Sequence, residues 1–227
     1  MIKSLRPDSR HTPRSWRNHP KSFVITTTVT CYLLPDDGPA ARTVFLQHLL
    51  NPGETWITAY AFTLPGMIQD LLQAHKQHIP LHIYLDYSQS VGKTEHPLVQ
   101  QLVTAGVEVT IGTSPAGSRF ICHTKGIVSD PGTKTGSVWC WEGSTNFSVD
   151  AWQQVNTALV FASQQWRNEF VAQFEALRDF AWANERNLQL MPAPPPDLGA
   201  APAASRARYG LKPKPDANAK AGHGGHA

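Results

Sequence analysis

Cysteine is scarce in this chain, long apolar runs are missing, and no segment repeats another. Each lack removes a class of protein. Three cysteines in 227 residues (Cys31, Cys122, Cys140) are an odd number without framework spacing, which argues against a disulfide-built scaffold. They read as reduced, buried small side chains of a cytoplasmic protein. No apolar stretch approaches the roughly 20 residues that a membrane-spanning helix needs. "SFVITTTVTCYLLP" follows a basic segment and imitates a signal peptide, but its threonine run and missing small-residue cleavage site fit a strand better. Without an internal repeat, any chemistry present occurs once per chain. No acidic cluster suited to a catalytic metal is evident either.

The body also lacks positive charge, although the whole chain is net +3. Residues 1–22 hold six basic residues (Lys3, Arg6, Arg10, Arg14, Arg17, Lys21) against Asp8 alone, a net of +5. Residues 192–227 hold five basic residues against Asp197 and Asp216, a net of +3. The body from 23 to 191 is left with nine basic and fourteen acidic residues, a net of −5. The basic character therefore belongs to a polar, proline-broken arm (1–22) and a Pro/Ala/Gly-rich tail (192–227), both expected to be disordered. The arm is suited to tethering on phosphate-rich partners, nucleic acid or anionic lipid, or is simply a solvated tail. His223 and His226 in the glycine-rich tail are too few for a metal site.

Between the ends, apolar periodicity alternates in type. Residues 23–33, 55–62, 81–86 and 107–112 read as strands, and 39–50, 65–78 and 97–106 as helices between them. Segment 87–97, "YSQSVGKTEHP", reads as a long polar loop. This βαβ rhythm predicts an α/β layered domain whose first half is largely parallel. After it come strands in "RFICHTKGIVSD", "SVWCWEG" and "VNTALVFA", and a final helix from Ser163 with Trp166, Phe170, Phe174, Leu177 and Ala181 on one stripe.

Within the apolar "ICHTKGIVSD" sit His123, Lys125 and Asp130. Alternation along a strand would put His123 and Lys125 on one face. An unpaired ammonium is expensive to bury, so an anion is expected beside Lys125, from the protein or from a ligand. The pattern H-x-K-x4-D has a random-order expectation of only ~0.02 occurrences for this composition. It is followed by "GSTN", which supplies Gly143, Ser144 and Asn146.

The two motifs together resemble the signature of the phospholipase D superfamily, and most nearly its single-motif bacterial nucleases of the Nuc type. The resemblance covers about residues 24–180, including "AYAFT" at 59–63. It implies a phospholipase D-like layered fold: a mixed, mostly parallel sheet flanked by helices on both faces. The gap from the aspartate to G-S is commonly about six residues in that group. Here the turn-forming "PGTKTG" (131–136) lengthens it, and such a turn insertion is usually tolerated. Relatives also place a supporting glutamate about eleven residues past the asparagine. Thr157 stands there, and neither it nor Asn156 brings a negative charge.

The resemblance implies a metal-independent, cofactor-free phosphodiesterase. Neutral His123 would attack phosphorus to give a phosphohistidine, while Lys125, Ser144 and Asn146 hold the phosphate oxygens. Asp130 belongs to the motif and would organise the strand end. A second imidazole must protonate the leaving group. With one motif per chain, it would come from a homodimer facing His123 to His123. Nucleic acid is the expected substrate, a phospholipid headgroup the alternative, and a catalytically idle nucleic-acid-binding homologue the third reading. His75, His78 and His82 read as helix-end and strand-surface histidines, and Trp139 and Trp141 as core residues sooner than a groove rim. The serine of "GSTN" does not sit in the G-x-S-x-G context of a nucleophile elbow.

Overall fold

The computed structural model describes residues 23–49, 53–115, 120–132 and 137–184. The basic arm and the tail lie outside these residues. Seven strands form one sheet in the order β1-β7-β6-β5-β2-β3-β4. They are β1 (Val29–Leu34), β2 (Glu54–Ala59), β3 (Leu81–Asp86), β4 (Glu108–Gly112), β5 (Lys125–Asp130), β6 (Trp139–Gly143) and β7 (Asn156–Phe161). The helices are α1 (Gly38–Leu49), α2 (Pro65–Lys76), a single turn α3 (Tyr87–Ser90), α4 (His96–Thr104) and α5 (Gln164–Asn184).

The sheet is mixed and helix-flanked as expected, but parallel pairing is confined to β2-β3 and β3-β4. The other four neighbour pairs are antiparallel, so the expected majority of parallel pairs is not met. Only the βαβ stretch of the chain has crossover helices long enough to return a strand in the same direction. From β5 onward the connections are short or lack such a helix, and the strands reverse.

Alternation along each strand serves two cores. Ile57, Ala59, Ile83, Leu85, Ile127, Trp139 and Trp141 face one core with Phe45 of α1, Ile68 and Leu71 of α2 and Leu102 of α4. Trp56, Tyr84, Val128, Cys140 and Phe161 face the other, with Phe170, Phe174, Leu177 and Ala181 of α5. The predicted stripe is therefore the buried face of α5, whose first turn is capped by Ser163 Oγ accepting from Trp166 N at 3.1 Å. Trp139 and Trp141 are core residues, not a groove rim.

Two further expectations meet particular outcomes. Cys122 and Cys140 are free and buried, but Cys31 is exposed, because β1 is an edge strand with neither face fully covered. Both ring nitrogens of His82 on β3 are engaged by carboxylates: Nδ1 lies 2.8 Å from Glu108 of β4 and Nε2 2.8 Å from Glu54 of β2. Among the described residues no helix is long and apolar enough to cross a membrane.

Candidate active site

One end of the sheet gathers the motif. β2 and β3 finish there, at Ala59 and Asp86, and β6 finishes there at Gly143. The antiparallel β5 and β7 begin there, Lys125 opposite Ala59 and Ala158 opposite Gly143.

Lys125 is the first residue of β5 and only 3% exposed. Its ammonium donates to the backbone oxygen of His123 at 2.6 Å and lies 5.3 Å from the centre of the Tyr60 ring. Burial lowers its pKa, while the charges of Glu142 and Asp86 work the other way. These carboxylates act on Lys125 by charge from a distance, and neither forms an ion pair with its ammonium. The expected strand through 121–130 starts only at Lys125, so His123 and Lys125 do not share a strand face. Ladder pairing stops where β2 ends, at Ala59, and the amide of Cys122 donates to the Asp86 carboxylate at 2.6 Å instead of to a strand. His123 is thus an exposed residue just ahead of the strand, its ring edge-on to Tyr60 at 4.8 Å. Desolvation, then the nearby Lys125 charge, lowers its pKa, so the imidazole is neutral at physiological pH and can act as a nucleophile.

Ser144 and Asn146 follow β6 at this same end. The Ser144 hydroxyl donates to Asn156 Oδ1 at 3.0 Å and accepts from Thr157 N at 3.0 Å, so it is committed to the turn. Asn146 is half-buried, and its side-chain oxygen has no hydrogen-bond partner among the described residues. The next residue fixes its position: Phe147 N donates to Ala61 O, and Phe147 O accepts from Thr63 N and Leu64 N. This locks the G-S-x-N loop to the exit of β2.

A family model described as "Cardiolipin synthase, PLD-like domain" matches residues 48–182, a span that contains every side chain of this end of the sheet from Tyr60 to Thr157. The chain belongs to the phospholipase D superfamily. Nuc from Salmonella typhimurium, a phospholipase D family member, is 20% identical with a TM-score of 0.57, over 68% of this chain and 95% of its own. NucT from Helicobacter pylori is 13% identical, also with a TM-score of 0.57, over 68% of this chain and 97% of its own. Phosphatidylserine synthase from Haemophilus influenzae has a TM-score of 0.51 at 13% identity, over 68% of this chain and 39% of its own. At these identities the likeness is one of fold. No curated protein matches the chain.

One member of the phospholipase D motif does not join the others. Asp130 closes β5 at its far end, five residues and roughly 16 Å of extended chain from Lys125. Its carboxylate accepts from Arg167 Nε of α5 at 2.9 Å and from Gly132 N at 2.9 Å. Arg167 in turn lies over the Trp56 ring, 4.8 Å from its centre. The structure thus sets Asp130 apart from His123 and Lys125, with which the sequence grouped it, and has it tie the end of β5 to α5. Thr157, at the place of the superfamily glutamate, is bonded to Ser144 and Thr145 and not to His123.

Four residues near the site were not singled out from the sequence. Tyr60 packs against both His123 and Lys125. Asp86 is fully buried at the end of β3. Glu95, also buried, accepts from Phe62 N at 2.7 Å and from Ser90 Oγ at 2.9 Å, and burial raises its pKa to about 7. Glu142 on β6 is pushed up to about 7 by burial, against the pull of Lys125. A signal existed for one of them. "LDYS" sets an aspartate at the end of an apolar strand with a serine two residues on, the pattern of an Asx cap.

Proposed function

We propose that the protein is a phosphodiesterase that works through a phosphohistidine and needs no metal, and that its substrate is nucleic acid. The observation that carries this reading is an exposed imidazole with a lowered pKa beside a buried ammonium, with the Asn146 amide held at the same end of the sheet. A phosphodiester anion repels nucleophiles, so the site must offset charge and aim a strong attacker. Lys125 and Asn146 draw the non-bridging oxygens. Neutral His123 then forms a P–N bond as the P–O bond to the leaving group breaks. The departing oxygen takes a proton from a second imidazole. That imidazole next accepts a proton from water, whose oxygen attacks phosphorus, and the P–N bond breaks to free His123.

Each chain has one such histidine, so the second is His123 of the partner subunit in a twofold dimer. Exposed apolar residues support a face of this kind. Leu33, Phe120, Ile121, Val149 and Val155 are all exposed, and all lie at the His123 end of the sheet. The compact chain spans nearly all of Nuc and NucT, which favours nucleic acid. The same apolar rim, and a family model described by a synthase, favour the second reading, a phospholipid headgroup substrate. The intermediate could then be resolved by water or by an alcohol.

The test is cleavage of single- and double-stranded DNA in excess EDTA. Wild type cuts, while His123→Ala and Lys125→Ala lose roughly 10²-fold or more. Near wild-type turnover in either variant would remove the site assignment. Silence of the wild type on nucleic acid, with release of headgroup from phospholipid vesicles, would move the substrate to lipid.

A further inference from the structure

The superfamily glutamate that would hold the histidine basic is absent, and its replacement, Thr157, turns to Ser144. Another carboxylate reaches the nucleophile from a different strand. Asp86, the last residue of β3, is fully buried. One of its oxygens, Oδ2, accepts from the backbone N–H of Cys122, the residue before His123, at 2.6 Å. The other, Oδ1, accepts from Ser88 N at 2.9 Å and Ser88 Oγ at 2.5 Å, which caps α3. Every acceptor made by this carboxylate is local or aimed at the nucleophile's own backbone.

We propose that Asp86 is the positioning residue for His123, fixing its backbone through the Cys122 amide and supplying the negative charge that Thr157 does not. This rests on His123 being the nucleophile. Burial raises the Asp86 pKa above the usual carboxylate value, and the hydrogen bonds from Ser88 and Cys122, with the nearby His123 charge, oppose that rise in favour of the ionised form. In a buried setting a neighbouring charge is weakly screened, so Asp86 favours the protonated imidazole. Lys125, two residues along, opposes it. The other groups around the pair are the Tyr60 phenol, edge-on to His123; Glu142, whose charge acts on Lys125; Glu95, on which the Asp86 charge acts; and the Cys122 thiol, which burial keeps protonated. His123 thus sits between one fixed anion and one fixed cation. The nucleophile of one subunit and the acid of the other need opposite protonation states, and the Asp86 charge, by opposing the lowering of the His123 pKa by burial and Lys125, keeps the protonated form within reach.

The experiment is an NMR titration of the His123 imidazole in the full chain, wild type beside Asp86→Asn. Asparagine keeps the size and the oxygen that accepts from Cys122 but removes the charge. The expected result is a fall in the His123 midpoint of about 0.5–1 pH unit. The pH optimum of phosphodiester cleavage should move to the acid side by the same amount. An unmoved midpoint overturns the proposal even if activity drops, because a purely structural role would lower turnover without shifting titration. Should Asp86→Asn fail to fold, wild type alone decides. The Cys122 amide proton and the His123 ring must then show a common inflection as Asp86 titrates, and its absence overturns the proposal. The readout is independent of catalysis. A shifted midpoint in a protein that cleaves no phosphodiester would sink the proposed function and leave the role of Asp86 standing.

Discussion

A lysine that is almost wholly buried and has no carboxylate salt bridge among the described residues would ordinarily mark a destabilised site. Here the Lys125 ammonium is held by a backbone oxygen, an aromatic face and the more distant charges of Asp86 and Glu142. Asp130 is the opposite case: a motif residue that does ordinary structural work. Asp130→Ala removes its bond to Arg167, a half-buried pair, and leaves the guanidinium stacked on Trp56 without its acceptor. The expected loss is about 1 kcal/mol of stability, seen as an earlier urea midpoint. Below that midpoint kcat should stay within a few-fold of wild type. A collapse of turnover in a variant that is still folded would return Asp130 to the chemistry. The sequence could name Asp130, because the motif spacing includes it, but spacing does not tell which end of a strand is the working end.

Most elements could be read from periodicity, because most of the strands are covered on both faces and the helices bury one stripe. β3 has the expected bounds, and α5 starts one residue after the expected Ser163. The N-terminal strand starts six residues later than expected, at Val29, because only Val29–Leu34 finds a partner in β7. Strand β5 fails to begin at Ile121 for the corresponding reason, as its neighbour has already ended. Apolar pattern reports burial, but pairing depends on a partner that the pattern does not reveal. His82 shows what such pairing adds. It spans β2, β3 and β4 through Glu54 and Glu108, and its pKa is raised by the two carboxylates against an opposing desolvation. The folded state therefore binds the proton more tightly than the unfolded chain, whose value is near 6.5. Its stabilisation is full below that pH and is lost as pH rises through the raised folded value. Both carboxylates are partly exposed, so the effect is about 1 kcal/mol or less. Thermal melts of wild type and His82→Gln should differ most near pH 5.5 and converge toward pH 9. A gap that is constant with pH would mean that packing against Trp56 and Phe174, not charge, is what His82 contributes.

At the scale of the whole molecule, the proposed mechanism makes one chain half of a symmetric reaction centre. One end of the sheet holds an exposed imidazole, a buried cation and an amide, and it is bordered by exposed apolar side chains, with Val155 at 93% exposure. If two copies meet there, each dimer requires both His123 residues, one to attack and one to move the proton. Co-expression of differently tagged wild type and His123→Ala tests this without locating the interface. A shared site makes activity follow the square of the wild-type fraction, so an equal mixture keeps about one-quarter of full activity. Independent sites would keep about one-half. Val155→Asp places a charge on the apolar border without touching the motif, and it should shift the protein toward monomer in light scattering while lowering activity in proportion. A monomeric Val155→Asp protein with undiminished turnover, together with a linear mixing curve, would show that one chain completes the chemistry alone. The proton would then have to come from another group at this end of the sheet. Glu142, half-buried, and Glu95, buried, both with values near 7, are the groups whose removal should then abolish turnover.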